Sequence, residues 1–214
     1  IDYWIQIKIE STTNGNKPMR QLAKLMLNAL YGKFALNPKV RSKYPFMDDE
    51  GVIKYKIGPE EERNPIYIPV GSFITAWARN KTIRSAQKVY DRFVYADTDS
   101  LHLLGTELPD NLEISDTKLG AWAHEGTFDR SRYLRQKTYL EAKRVEKKSD
   151  SGIFERIDGS LYELFITCAG MPNGCYPYVT WENFHPSQKY AGKLQQKHVK
   201  GGIYFKDIDF TIKK

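Results

Sequence analysis

Hydrophobic and polar positions follow two periods along this chain. From Met19 to about Phe34 they recur at helical spacing. Leu22, Leu25, Met26 and Ala29 fall on one side, and Arg20, Lys24, Asn28 and Tyr31 on the other, as in an amphipathic helix. Asn16-Lys17-Pro18 starts it, with proline near the first turn. Residues 1–9 are apolar-rich and run into a polar stretch, Glu10 to Asn16. A second helix is predicted from Phe73 to Arg92, with Ile83, Ala86 and Tyr90 as its buried stripe. Carried backwards, that stripe reaches Arg79 and Thr75. A buried arginine there would need a carboxylate or a phosphate as partner.

Elsewhere the period is two. Residues 35–70 are broken by prolines 38, 45, 59, 65 and 69 and by glycines 51 and 58, yet Ile53, Tyr55 and Ile57 alternate with Lys54 and Lys56. This predicts an extended hairpin-like insertion with too few apolar residues for its own core. Phe93–Ala96 and Leu101–Leu104 read as strands of a hairpin whose tip is Asp97-Thr98-Asp99-Ser100. Tyr133–Lys143 reads as one strand, with Arg135, Lys137, Tyr139 and Glu141 on one face and Leu134, Thr138 and Leu140 on the other. Leu161–Cys168 is predicted as a core strand after a turn at Asp158-Gly159, and Ile203–Ile212 as a closing strand after Gly201-Gly202. Helices beside short hairpins make the expected fold class α+β, with an antiparallel sheet packed on helices.

Composition narrows this little. The chain has 214 residues, 41% hydrophobic and 28% charged, and no stretch approaches the ~20 apolar residues of a membrane span. The start has no signal-peptide pattern. Two cysteines and four scattered histidines argue against a disulfide framework or a histidine metal cage. An opening Ile suggests a piece of something longer. Charge says more. The net +7 is confined to residues 130–214, while residues 1–129 are balanced. A localised basic excess suggests a polyanionic partner, nucleic acid before anionic membrane. A merely soluble basic surface fits as well. In the tail, Lys189, Lys193, Lys197 and Lys200 recur every three or four residues, with no acid between Glu182 and Asp207.

Three groups carry candidate chemistry. Asp97 and Asp99 place two hard carboxylates at a strand tip, which suits Mg²⁺; Asp and Ser are also ordinary turn formers. Lys24, Asn28 and Tyr31 offer a point charge for phosphate and a flat ring for a base or sugar, or simply a solvated helix face. Arg135, Lys137 and Tyr139 suit a nucleic-acid backbone, or an exposed polar sheet face. Together they point to nucleotidyl transfer.

Here a resemblance becomes specific. Lys24-Leu25-Met26-Leu27-Asn28-Ala29-Leu30-Tyr31-Gly32 resembles motif B of family B DNA polymerases. Tyr95-Ala96-Asp97-Thr98-Asp99-Ser100 resembles their motif C, and Lys137-Thr138-Tyr139 their K-x-Y motif. Order and spacing are similar to the protein-primed branch carried by small Bacillus phages and linear plasmids. Gln21–Lys24, Phe73–Arg79, Tyr133–Tyr139 and Cys168-Ala169-Gly170-Met171 add to the resemblance, which spans essentially the whole chain. Reverse transcriptases fit worse, since their signature has adjacent aspartates.

The resemblance implies a partial polymerase palm with a fingers helix, a β-rich insertion and a small β-containing thumb. Residues 1–34 would be truncated fingers, 35–70 the second terminal-protein region linked to strand displacement, 71–168 palm and 169–214 thumb. Asp97 and Asp99 would be catalytic and hold two Mg²⁺, with Mn²⁺ as the alternative ion. Lys8, Lys24, Asn28 and Tyr31 would bind the incoming dNTP. Gly32, Phe34, Thr75 and Arg79 would contact template, Arg135, Lys137 and Tyr139 the primer, and Lys189, Lys193, Lys197 and Lys200 product duplex. Implied partners are template and primer DNA, dNTP and a priming terminal protein, with no membrane; the enzyme would be a monomer in the bacterial host cytoplasm. The family's motif A aspartate, in Asp-x-x-Ser-Leu-Tyr-Pro, is absent. Asp158-Gly159-Ser160-Leu161-Tyr162 is one residue short of it and downstream of motif C. The stretch is therefore read either as the C-terminal part of a polymerase or, as it stands, as a non-catalytic DNA-binding module. A degenerate prophage remnant is the third reading.

Overall fold

The computed structural model describes residues 1–64 and 67–213, so Pro65, one of the expected breakers, lies outside the described residues. Helices and antiparallel hairpins are distributed over two compact units. One comprises residues 1–43 and 57–125, the other residues 44–56 and 126–214.

In the first unit, the apolar opening forms α1 (Asp2–Thr13) and the amphipathic run forms α2 (Lys17–Phe34). The start signal acts as expected: Asn16 caps α2 by accepting from the Met19 amide at 3.1 Å. The two helices meet at a small residue, Ala23, which is 0% exposed, while Leu25 on the predicted apolar side is 61% exposed. The size of the contact residue, not the width of the apolar stripe, decides which face lies against α1.

Strands β1 (Lys39–Met47) and β2 (Ile53–Glu62) form the expected hairpin. Pro45 and Pro59 fit within it because a two-stranded sheet has only edges. Its tip, residues 44–56, belongs to the second unit. Helix α3 (Ile68–Lys88) is followed by a 3₁₀ turn, Tyr90–Arg92. The expected stripe is wrong here. Ile83 and Tyr90 are 51% and 75% exposed, and the buried positions are Gly71, Ser85 and Val89. Two polar contacts rotate the helix: Trp122 Nε1 donates to Ser85 Oγ at 3.1 Å, and Thr82 Oγ1 donates to the Thr98 carbonyl at 2.9 Å. Strands β3 (Phe93–Asp97) and β4 (Ser100–Leu103) form the predicted hairpin.

In the second unit, β5 (Arg130–Arg135), β6 (Thr138–Arg144), β7 (Ile153–Ile157) and β8 (Ser160–Cys168) make an antiparallel sheet in the order β5-β6-β8-β7. Leu140 and Ala142 of β6 and Leu164 and Cys168 of β8 anchor the core, which continues through Met171, Cys175, Val179 and Phe184. Arg132 ties β5 to that last segment: its guanidinium donates to the carbonyls of Trp181 at 2.7 Å and Phe184 at 3.3 Å and lies 4.9 Å from the Trp181 ring centre.

Strands β9 (Lys189–Val199) and β10 (Gly202–Thr211) pair as a hairpin with one bulge. Tyr190 pairs with Phe210 and Lys193 with Ile208, so Ala191 and Gly192 together oppose Asp209. Gly192 has φ +96°, and a Cβ there would meet the Gly174 carbonyl oxygen at 2.2 Å. Only glycine allows the bulge and the close approach together. At the hairpin's far end, Gly201 N–H donates to the Gly51 carbonyl at 3.0 Å, Val52 bridges Lys200, and Tyr55 meets His198 edge-on. No helix among the described residues is long and apolar enough to cross a membrane.

Candidate functional site

The two aspartates sit as the hairpin reading expects. Asp97 ends β3 and pairs with Ser100, leaving Thr98 and Asp99 as a two-residue turn. Thr98 carries φ +52°, an uncommon conformation for a β-branched residue, and is held from both sides. Its hydroxyl donates to Asp97 Oδ1 at 3.0 Å, and its carbonyl accepts from Thr82 of α3. Ser100 Oγ donates to the Asp97 carbonyl at 3.1 Å. Asp97 is half-buried and Asp99 exposed. The turn thus presents hard oxygen donors on a rigid strand end. Among the described residues, no group of three or more His, Cys, Asp or Glu side chains could hold a metal ion; the two carboxylates themselves are of the hard-oxygen type that suits Mg²⁺.

Lys24, Asn28 and Tyr31 lie exposed on α2 at helical spacing. Lys8 of α1 is half-buried and lines a crevice of about 160 Å³ with Ile5, Ile9, Leu27, Thr117 and Gly120. Its far wall, residues 115–123, was not singled out from sequence. Trp122 is the signal that could have found it. The residue exchanges backbone bonds with Glu113 and Ser115, both at 2.8 Å, and Lys81 lies 5.6 Å from its ring centre. Lys118 in this loop pairs with Glu113.

Gly32 and Phe34 are half-buried near the end of α2. Ala35, the next residue, abuts Gly71 of α3, so α2's end and α3's start come together. Thr75 donates to the Ser72 carbonyl at 2.8 Å. Arg79 is exposed, not the buried charge the stripe predicts, because α3 buries the face of Gly71 and Ser85 instead.

The basic strand is corrected more sharply. Tyr133–Lys143 is not one strand but a hairpin, with Arg135 ending β5, Gln136 and Lys137 in the turn, and Thr138 opening β6. Lys137 has φ +54°. The alternation breaks there because a left-handed residue reverses the chain. Arg135 and Lys137 are exposed about the turn, while Tyr139 is half-buried on β6. Tyr139 is the cross-strand partner of Tyr133, the two rings 5.5 Å apart. Burial pushes the Tyr133 phenol up to about 12, with the neighbouring Glu141 adding to it. Lys137 and Tyr139 belong to the second unit, Asp97 and Asp99 to the first.

The tail lysines do not form a single track. The bulge reverses the alternation, so Lys193 and Lys197 share a face with Tyr190 and Phe210, and Lys189 points the other way. Lys193 Nζ lies 5.8 Å from the Phe210 ring centre, and Lys200 lies against Gly51.

A family model described as DNA polymerase type B, organellar and viral, matches residues 1–117. The chain belongs to this polymerase family. The DNA polymerase of Bacillus phage phi29 is 45% identical over 218 residues, covering 100% of this chain and 37% of the relative. That of Streptococcus phage Cp-1 is 36% identical over 213 residues, covering 100% of this chain and 35% of the relative. A structure of phi29 DNA polymerase complexed with primer-template DNA and incoming nucleotide matches with a TM-score of 0.85 at 44% identity, covering 99% of this chain and 36% of that one. One complexed with single-stranded DNA matches at 0.81 and 43%, covering 99% and 38%. The chain therefore spans a little over a third of the length of these type B polymerases, and its mixed helix and antiparallel-sheet fold is theirs.

Proposed function

We propose that this chain is the C-terminal polymerase region of a protein-primed, DNA-directed DNA polymerase. The observation that carries the reading is the braced Asp97-Thr98-Asp99 turn in a chain 45% identical to a phage DNA polymerase. The reaction would be attack by a primer 3′-OH, or a priming protein's hydroxyl, on the α-phosphate of a dNTP, with pyrophosphate leaving in line. Two Mg²⁺ ions, when bound, would activate the attacking oxygen and stabilise the leaving one. Asp97 and Asp99 would hold those ions on the rigid turn. Lys8 and Lys24 would neutralise triphosphate charge. Asn28 and Tyr31 would line the sugar and base pocket. Gly32, Phe34, Thr75 and Arg79 would guide template, and Arg135, Lys137 and Tyr139 would hold the primer end.

In this reading residues 1–34 are fingers, 71–168 palm and 169–214 thumb. The 35–70 hairpin serves strand displacement, a terminal protein primes, and a monomer works in the host cytoplasm. Replacing Asp97 or Asp99 by Asn in the whole polymerase carrying this chain should abolish primer extension and leave DNA binding within about threefold, since an anionic carboxylate neutralises no backbone phosphate. Normal extension by either variant sinks the assignment.

A second reading concerns the chain by itself: a salt-sensitive DNA-binding module without catalysis. The carboxylate pair without a third ligand among the described residues and the basic residues 130–214 favour it. Mg²⁺-dependent nucleotide incorporation by the isolated chain would refute it.

A further inference from the structure

The Cys168-Ala169-Gly170-Met171 segment has no part in the roles assigned above, yet the structure gives it a specific neighbour. Its four residues form a tight turn closed by Met171 N–H donating to the Cys168 carbonyl at 3.0 Å, with Gly170 at φ +83° in the third position. That position, in a type II turn, requires glycine or asparagine. Both ends are rooted: Cys168 and Met171 are core residues, and Cys168 is the cross-strand partner of the fully buried Thr138. Between them, Ala169 N–H points across and donates to the Lys137 carbonyl at 2.8 Å. Lys137 is the residue held at φ +54°. An L-residue does not stay left-handed unless its surroundings hold it there.

We propose that the Cys168–Met171 turn is a positioning element for primer binding. Its Ala169 amide locks the left-handed conformation of Lys137 and so fixes where the Lys137 ammonium and the Tyr139 ring are presented. The mechanism is steric and local. Gly170 lets the turn close, closure aims the Ala169 amide, and the amide holds the Lys137 carbonyl. Tyr139 is steadied from its other side by Tyr133. The inference rests on the reading that Lys137 and Tyr139 hold the primer end.

The test uses the whole polymerase carrying this chain, with steady-state kinetics in primer-template DNA and in dNTP separately. A Cβ at position 170 meets nothing within 4 Å, so a β carbon there is not what opposes a substitution, and the left-handed backbone is. Gly170→Val, which resists the left-handed region, should raise KM for primer-template roughly tenfold and leave KM for dNTP unchanged. Gly170→Asn, which accepts that region, should stay within about twofold of wild type. Lys137→Ala should raise the same KM, and Lys137→Ala with Gly170→Val should lose less than the two single losses combined, because part of the function they remove is shared. Additive losses, or equal losses from the Asn and Val variants, overturn the proposal. If Lys137→Ala itself leaves KM for DNA unchanged, the primer reading of Lys137 falls, and the proposal with it. A Lys137→Ala defect with a normal Gly170→Val enzyme overturns the positioning role alone. Should Gly170→Val fail to fold, amide exchange at Ala169 decides: slow exchange in wild type and faster exchange in Gly170→Ala support the lock, and fast exchange in wild type overturns it.

Discussion

If the β9–β10 hairpin grips duplex through phosphates, its lysines should not be equivalent, and salt should reveal the difference. Each phosphate neutralised contributes about 0.9 to the slope of log K against log salt. Between 50 and 200 mM salt, one contact is therefore worth about 3.5-fold in affinity. Lys197 is exposed, directly opposite Tyr204, and among the described residues no acid pairs with it. Its replacement by Gln should remove close to the full slope of one contact. Lys193 lies over the Phe210 ring, an interaction worth ~0.5–1 kcal/mol at exposed sites, so its ammonium is partly committed and Lys193→Gln should change the slope less. Lys189 faces the other side of the bulge, and a duplex lying on the Lys197 face leaves it out. The measurement is fluorescence anisotropy of a labelled primer-template with the purified chain at four salt concentrations. Arg41→Gln is the control, because Arg41 already pairs with Glu60 at 3.3 Å. Equal slope changes for Lys189, Lys193 and Lys197 would refute the reasoning from the bulge. No change for any of them would refute the duplex-gripping role.

Two further outcomes concern stability. Arg132→Ala removes two charge-assisted hydrogen bonds and the contact with Trp181; with water reaching the freed carbonyls, the expected loss is about 2–3 kcal/mol in urea unfolding, and a loss below ~0.5 kcal/mol would show that the Trp181–Phe184 segment is held by packing alone. Burial pushes the Tyr190 phenol up to about 12, against an ordinary value of 10.0. The folded state therefore keeps its proton longer than the unfolded chain, and stability is full below pH 10 and falls as pH rises towards 12. Tyr190→Phe should lose about 1 kcal/mol at pH 7 with the hydrogen bond to the Asn183 carbonyl and show a shallower alkaline decline; parallel declines would remove Tyr190 as the cause.

Sequence periodicity located the Asp97–Asp99 turn because a hairpin tip is a local event: alternating apolar residues, two turn formers, alternation again. It located α2 for the same reason, with Asn16 and Pro18 marking its start. It failed where long-range contacts set the outcome. The face α3 buries is chosen by Trp122 and Thr98, residues far along the chain that no helical spacing encodes. The turn at Gln136-Lys137 was hidden because lysine is not a turn former and its left-handed backbone is imposed by Ala169. The bulge at Ala191-Gly192 was invisible too, since one extra residue in one strand shows only once its partner is known. The loop at 115–123 has no periodicity of its own, and only its wall around Lys8 gives it meaning.

The tip of the β1–β2 hairpin has a consequence for how this chain is made. Its partners at Lys200 and Gly201 are synthesised about 150 residues after Gly51, a wait of roughly 7–30 s at ribosomal speeds of about 5–20 residues per second. Helices α1 and α2 precede the tip, and α3, the Asp97 hairpin and strands β5–β8 follow it during that interval. The tip, with Tyr44, Phe46 and Tyr55 exposed even after docking, passes it without a partner. Anything that truncates the last two strands also removes the edge-on contact of Tyr55 with His198 and the backbone bond of Gly51 to Gly201, so nascent-chain capture by a chaperone should concentrate on this hairpin.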